Sequence, residues 1–367
     1  MQHRELGDSG VEVSEVGFGA WVVGTDWWGD RDEDDQREMV EYAIEQGITY
    51  IDTGDVYGHG RSEELLGEFV APYRDEVTLA TKVGYDFYNN PQAGHGELPK
   101  EMDPDYLRDA VEKSLDRLDT DHVEYLQLHN PNVEELTPDV LELLDELRED
   151  GTVDAVGLAL GPSIGWLAEG DFGIEHEFDG VQYVGNLLEQ DVHRHFVDTV
   201  RETGASTSLI PRVPHSSGLL NEQVTPDTEL DAGDHRGFRP DEWYETGWEK
   251  IEELRFLEHA EHGSAERSSG DQPRDRDGAR TMGQAAIQWL LSFDEVASVT
   301  PTFRSKDDIE EWAAAPETPR LSEDEQERVA DLYETNFGID RFDGMAHEDY
   351  RTSVDGDDLR EAGLLAD

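Results

Sequence analysis

The sequence predicts an α/β fold, and within that class a single (β/α)₈ TIM barrel. Three observations carry the prediction. Eight short runs have strand character, capped amphipathic helices lie between them, and the alternation repeats at roughly 30 residues, the length of one βα unit. Eight such units favour a closed parallel barrel over an open doubly wound sheet.

The runs are VGFGAW (16–21), ITYID (48–52), VTLATK (77–82), VEYLQLH (123–129), AVGLAL (155–160), VQYVGN (181–186), STSLIPRV (206–213) and ASVTPTF (297–303). Asp103 and Pro104 open a helix over 104–118 whose apolar face is Leu107, Val111, Leu115 and Leu118. Thr137 and Pro138 repeat the device ahead of Val140, Leu141, Leu144 and Leu147, and Gly151 supplies a left-handed stop. Thr281 with Gln284 and Ser322 with Glu325 have capping-box spacing. Two stretches depart from the repeat: 221–247, polar with scattered aromatics, and 262–280, which has almost nothing to bury and reads as a solvated insertion. The expected organisation is one barrel domain over 1–338 and an acidic C-terminal tail over 339–367.

Acidic residues number 88 against 29 basic ones, a formal charge of −59. Such a surface repels nucleic acid phosphates and anionic membranes, which excludes both as partners. The acids are spread along the chain and coexist with periodic apolar faces, so neither a disordered chain nor a single acidic block accounts for them. The remaining reading is a solvated acidic shell, and the lysines sharpen it: there are five, Lys82, Lys100, Lys113, Lys250 and Lys306. A surface purged of lysine suits molar salt, where screening suppresses self-repulsion, so a halophilic protein is expected. Cysteine is absent, and no apolar run reaches the length of a membrane span or signal core; a soluble cytoplasmic protein is expected.

Active sites of parallel barrels lie at the carboxyl ends of the strands. Asp52 ends the second run, Tyr57 follows it, Lys82 ends the third and His129 ends the fourth. Singly, each has an ordinary structural explanation; together they would face one rim. A free phenol titrates at about pH 10 and donates poorly at neutrality, but an adjacent ammonium stabilises the phenolate. Lys82 would provide that charge, Asp52 would keep Lys82 protonated, and His129 would hydrogen-bond the substrate oxygen and help relay or orient the proton. With no thiol, metal-ligand cluster or Ser-His-Asp arrangement, the site needs a partner that brings reducing power, and a nicotinamide cofactor would do so. Trp21 and Tyr85 follow the first and third runs as candidate substrate-pocket walls. A Schiff-base role for Lys82 and a nucleotide-binding regulatory subunit with little turnover stay open.

At these residues the chain resembles the aldo-keto reductase superfamily. IDTGDVYGHGRSEELLG (51–67) is similar to the family's Asp-Thr-Ala-x-x-Tyr-Gly signature, LATKVG (79–84) to the segment with its lysine, and YLQLHNP (125–131) to the segment with its histidine. Asp52, Tyr57, Lys82 and His129 then fill the catalytic positions. The likeness continues through GTVDAVGLAL, VQYVGNLLEQ, RVPHSSGLL and TMGQAAIQWLLSFDEVASVTPTFRS. It implies reduction of an aldehyde or ketone, or the reverse, with a nicotinamide cofactor. Gln182 would meet the carboxamide, while Arg212, Ser216, Ser217 and Leu219 would lie against nicotinamide and pyrophosphate. Arg304, Ser305, Lys306 and Glu311 would serve the adenosine end, and the paired Arg304 and Lys306 favour NADP over NAD.

Departures from the family pattern are Ala159-Leu160 in place of Ser-Asn, Thr302 in place of glycine, Arg212 in place of a stacking tyrosine, and Trp312 in place of an adenine-contacting asparagine that it could replace by stacking. No metal is expected. The pairs His193/His195 and His259/His262 have no companions at ligand spacing and read as exposed helix histidines, and Gly17, Gly19 and Gly24 read as room for close approach rather than a dinucleotide fingerprint.

Overall fold

The computed structural model describes residues 1–25, 31–90, 98–161, 166–225, 227–229, 241–258 and 280–339. The tail beyond residue 339 and the stretch 262–279 of the expected insertion lie outside the described residues, as do His259 and His262.

An antiparallel hairpin, β1 (His3–Glu5) and β2 (Glu12–Ser14), precedes seven parallel strands in sequential order: β3 (Phe18–Gly19), β4 (Tyr50–Asp52), β5 (Thr78–Val83), β6 (Val123–His129), β7 (Val153–Ala159), β8 (Gly180–Val184) and β9 (Ser208–Arg212). The eighth run closes the circle through isolated parallel bridges. Val296 and Thr300 pair with Leu209 and Arg212 of β9, and Val299 pairs with Val16 ahead of β3. Gly19 N–H donates to Pro301 O at 3.2 Å, completing the seam. Close approach explains why this seam is glycine-rich: a Cβ on Gly17 would lie 2.4 Å from the Tyr50 ring, and one on Gly19 would lie 2.9 Å from Pro301 O.

The barrel interior is packed. Tyr50, Ala80, Tyr125, Ala155, Ile210 and Ala297, each from a different stave, form a cluster with Leu6, Val11 and Val13 of the hairpin. The hairpin is therefore the barrel's floor, and Arg4 pins it to the closing segment through Val296 O at 2.6 Å. That leaves the opposite end, where the strands finish, as the open face.

The helices are α1 (Glu33–Glu45), α2 (Arg61–Val70), α3 (Pro104–Leu118), α4 (Pro138–Glu149), α5 (Leu167–Glu175), α6 (Asp191–Thr203), α7 (Asp241–Leu254), α8 (Met282–Leu291), α9 (Lys306–Ala313) and α10 (Glu323–Glu334). The cap signals act as expected. Asp103 accepts from Asp105 N–H, Thr137 accepts from Val140 N–H, and both capping boxes form. Helix α7 rises from a polar stretch that the repeat does not account for, and Trp243, Ile251 and Leu254 bury against the core. His193 is not an exposed helix histidine. Helix α6 turns it fully inward, where it hydrogen-bonds the Tyr183 hydroxyl at 2.7 Å and burial pulls its pKa down to about 3. His195, on the same helix, is half-buried rather than exposed and meets Asp171 at 2.8 Å.

Candidate active site

Strand parity places the candidate side chains. On β5, Thr81 points outward to Glu63 of α2, so Lys82 points into the mouth. On β6, Tyr125, Gln127 and His129 share the inward parity. Beyond β4 the chain stays tied to β5, with Thr53 N–H donating to Ala80 O at 2.9 Å and Asp55 N–H to Lys82 O at 3.0 Å. The next turn presents Tyr57. Gly58 there has φ +58° and packs so tightly that a Cβ would meet Gly24 O at 2.1 Å, so glycine is required immediately after the tyrosine.

The Lys82 side chain is 1% exposed and donates to Asp52 Oδ2 at 2.7 Å and to Thr53 O at 2.6 Å. Its nitrogen lies 5.0 Å from the centre of the Tyr57 ring. The other Asp52 oxygen accepts from Gln127 Nε2 at 2.7 Å. Burial pulls the Lys82 ammonium down, but the charge of Asp52 and contacts with Asp52 and Tyr57 outweigh it, and the net direction is upward. Lys82 is therefore a buried, permanent cation at working pH.

The His129 ring stands edge-on to Tyr57 at 5.9 Å and to Tyr85 at 4.9 Å, centroid to centroid. Burial, then Lys82 and Arg212, hold its pKa well below the usual value of 6.5. The imidazole is thus neutral near pH 7: it can orient a substrate oxygen by hydrogen bonding, but it carries no spare proton for the reaction. Its Nδ1 has no partner among the described residues.

Tyr85 walls this side of the mouth, its hydroxyl held by Asn130 Nδ2 and its carbonyl by the Tyr106 hydroxyl at 2.8 Å. Trp21 sits half-buried in the turn directly after β3, at the same end of the barrel.

The residues assigned to a cofactor separate into two groups. Gln182 on β8 is 2% exposed and its Nε2 has no partner among the described residues, which fits recognition of a carboxamide oxygen. Arg212 ends β9 and donates to Leu160 O at 3.0 Å and Gly161 O at 2.5 Å. The guanidinium thus ties down the backbone at the Ala159-Leu160 departure. Ser217 is half-buried with φ +56° in the turn after β9.

The second group is already engaged. Ser216 is buried and donates to Glu189 at 3.3 Å, and Glu311 accepts from the Thr281 hydroxyl at 2.5 Å. Leu219 is fully buried within the main core, so its side chain is a packing element. Ser305 caps α9 through Asp308 N–H, and Lys306 reaches Glu38 at 2.5 Å. Trp312 is 1% exposed between His215 at 4.1 Å and Phe303 at 5.2 Å, so it does not offer a face for stacking on adenine.

Sequence reasoning did not single out Gln127, Asn130 or the Glu63–Arg117 pair. Gln127 was recoverable, because a polar residue on the inward parity between Tyr125 and His129 must find a buried partner. Arg117 Nε meets Glu63 at 2.7 Å from a helix about fifty residues away, a juxtaposition with no local signal. Asp55 lies fully buried beside this pair, and burial, then Glu63, push its carboxyl well above the ordinary range.

The aldo/keto reductase family model matches residues 15–334. The chain belongs to this family. Among curated aldo-keto reductases, YhdN of Bacillus subtilis (strain 168) is 28% identical over 301 residues, covering 79% of this chain and 81% of the relative. Versiconal hemiacetal acetate reductase of Aspergillus parasiticus is 25% identical over 351 residues, covering 89% of this chain and 95% of the relative. The holo form of aldo-keto reductase AKR11C1 from Bacillus halodurans superposes with a TM-score of 0.70 at 25% identity, over 90% of this chain and 96% of that one. As an aldo-keto reductase family member the protein is an oxidoreductase. Among the described residues no helix is long and apolar enough to cross a membrane, and no cluster of His, Cys, Asp and Glu is arranged to hold a metal ion.

Proposed function

We propose that this aldo-keto reductase interconverts a small carbonyl compound and its alcohol with a nicotinamide dinucleotide, and that Tyr57 is the proton donor. The single observation behind the reading is the buried Lys82 ammonium, bonded to Asp52 and set against the Tyr57 ring. When bound, the nicotinamide supplies hydride. The protein's own residues do the rest. Tyr57 gives its proton to the substrate oxygen as negative charge develops there. Lys82 stabilises the phenolate left behind, and Asp52 together with Gln127 holds Lys82 in place. His129, neutral and edge-on to Tyr57, orients the carbonyl oxygen, while Gln182 would hold the carboxamide.

Water exclusion is built in, because Asp52 is 4% exposed, Lys82 1% and His129 8%. A Schiff-base role for Lys82 is disfavoured, since a nucleophilic amine must shed its proton and this one is held protonated by a carboxylate. The acidic composition supports a cytoplasmic protein of a salt-accumulating organism. The regulatory reading, in which nucleotide is held with little turnover, draws on the engaged state of Trp312 and Glu311.

Tyr57→Phe tests the reading. Oxidation of the reduced nucleotide against a panel of aldehydes and ketones should fall by about 10²–10⁴-fold, with nucleotide affinity within a few-fold of the parent. Turnover preserved in that variant would remove the proton-donor role. Nucleotide binding without turnover by the parent protein would favour the regulatory reading.

A further inference from the structure

We propose that the first turn of α9 selects a nicotinamide dinucleotide with a free ribose 2′-hydroxyl over its 2′-phosphorylated form, and that Asp308 is the specificity-determining residue. The inference rests on the nucleotide-dependent reading above and names which nucleotide it takes. It reverses the preference for NADP that Arg304 and Lys306 suggest in the sequence.

Parallel barrels commonly bind phosphate groups at the loops after the last two staves, next to the N-terminus of a following helix. In this chain that helix is α9, which follows the closing segment Val296–Pro301 by a few residues. A helix start attracts anions through amides that have no intrahelical partner. Here a protein carboxylate has taken that position. Asp308 Oδ2 accepts from Arg304 N–H at 2.9 Å, and its Oδ1 accepts from Gln223 Nε2 at 3.2 Å. The Asp308 amide is itself bonded to the Ser305 hydroxyl at 3.1 Å, so the turn's polar groups answer one another.

The basic pair does not offset this. Lys306 is drawn toward α1, with its nitrogen 2.5 Å from Glu38 Oε1 and 5.0 Å from the centre of the Tyr42 ring. Arg304 Nη1 reaches Gln223 Oε1 at 3.4 Å, the same side chain that meets Asp308. Asp307 adds another carboxylate in the first turn. A third cation, Arg31, is engaged by the backbone here, its Nη2 donating to Arg304 O at 2.9 Å, so of the nearby basic groups Lys306 is paired with Glu38 and Arg31 with a carbonyl, while Asp307 and Asp308 hold the first turn.

A 2′-phosphate brings a further charge of about −1.5 to −2 and, when dianionic, no donor hydrogen. A free 2′-hydroxyl donates to a carboxylate at no electrostatic cost, which is how an acidic residue near the ribose marks the unphosphorylated form in dinucleotide sites generally. Gln182, whose buried amide nitrogen is unpartnered among the described residues, would meet the carboxamide at the other end.

The test is the dissociation constant of the full-length protein for NADH and for NADPH, read from nucleotide fluorescence at one fixed KCl concentration. The parent should bind NADH at least about tenfold more tightly. Asp308→Asn keeps an acceptor for the Arg304 amide and should bring the two affinities to within about threefold, chiefly by tightening NADPH. Glu38→Gln leaves the α9 cap untouched, frees Lys306, and should move the ratio the same way by a smaller factor. A parent that prefers NADPH, or a ratio unmoved by Asp308→Asn, overturns the proposal while leaving the nucleotide-dependent reading intact. Failure of the parent to bind either nucleotide overturns both.

Discussion

Lysine occurs both in the barrel mouth and on the helical shell, and the two settings use it differently. Lys82 is enclosed, with its hydrogen bonds fixed by Asp52 and Thr53 and its surroundings closed to water. Lys113 pairs with Asp109 one turn away on α3, and both side chains are largely exposed, at 40% and 59%. In water an ion pair contributes little because solvent competes for each charge, whereas in the mouth no solvent can replace a lost partner. The comparison separates charge enclosed at the barrel mouth from charge that meets solvent.

Removing one anion from each region gives the widest contrast. Asp52→Asn leaves a buried ammonium without its counter-ion and should cost about 3–5 kcal/mol of unfolding free energy, measured by denaturant titration, along with loss of turnover. Asp109→Asn should cost less than about 1 kcal/mol and leave turnover unchanged. Equal effects at the two sites would remove the distinction.

Histidines extend the comparison to pH. Burial is the leading cause in all three buried cases: His129 is held well below 6.5, His193 at about 3 and His215 at about 4. Their folded-state values lie below the unfolded one, so between the two the unfolded chain binds more protons. Stability is therefore full above about pH 6.5 and falls as pH drops, by about 1.4 kcal/mol per unit for each histidine still neutral in the folded state. His193→Phe, which keeps an aromatic ring against Trp289 and Phe293, should flatten that slope by about one histidine's share. An unchanged slope would show that His193 titrates alike in both states.

The shell should respond to salt where the mouth does not. With 88 acids against 29 bases, raising KCl from about 0.1 to about 3 M shortens the screening length to roughly 3 Å and relieves repulsion among exposed carboxylates. The thermal unfolding midpoint should rise over that range, and a flat or falling midpoint would set aside the halophilic reading. The Lys82–Asp52 pair is sealed from the solvent, so the relative loss caused by Tyr57→Phe should be the same at both salt concentrations.

How much of this was legible in the sequence follows the same division. The helix caps at Asp103, Thr137, Thr281 and Ser322 are local chemistry, and all formed where their spacing placed them. Seven of the eight expected runs carry a strand of the parallel sheet, because staves buried on both faces read as apolar runs, whereas the eighth, 297–303, joins its neighbours through isolated bridges. The floor hairpin was missed: its strands are three residues each, too short to show a period, and its register depends on a barrel that exists only once the chain is closed. At the site, Asp52, Tyr57, Lys82 and His129 could be placed because strand ends in a parallel barrel share one face. The engagement of Lys306 with Glu38, the burial of Trp312 and the inward turn of His193 depend on packing between elements far apart in the chain, which no local pattern encodes.

The central claim is that a buried ammonium makes the Tyr57 phenol a usable acid, and Lys82→Met probes it most directly by removing the charge while retaining the apolar stem. Single-turnover hydride transfer, followed by loss of reduced-nucleotide absorbance with saturating carbonyl substrate at pH 7, should slow by about 10²–10⁴-fold, with nucleotide affinity close to that of the parent. A folded Lys82→Met protein that transfers hydride at the parental rate would contradict the account.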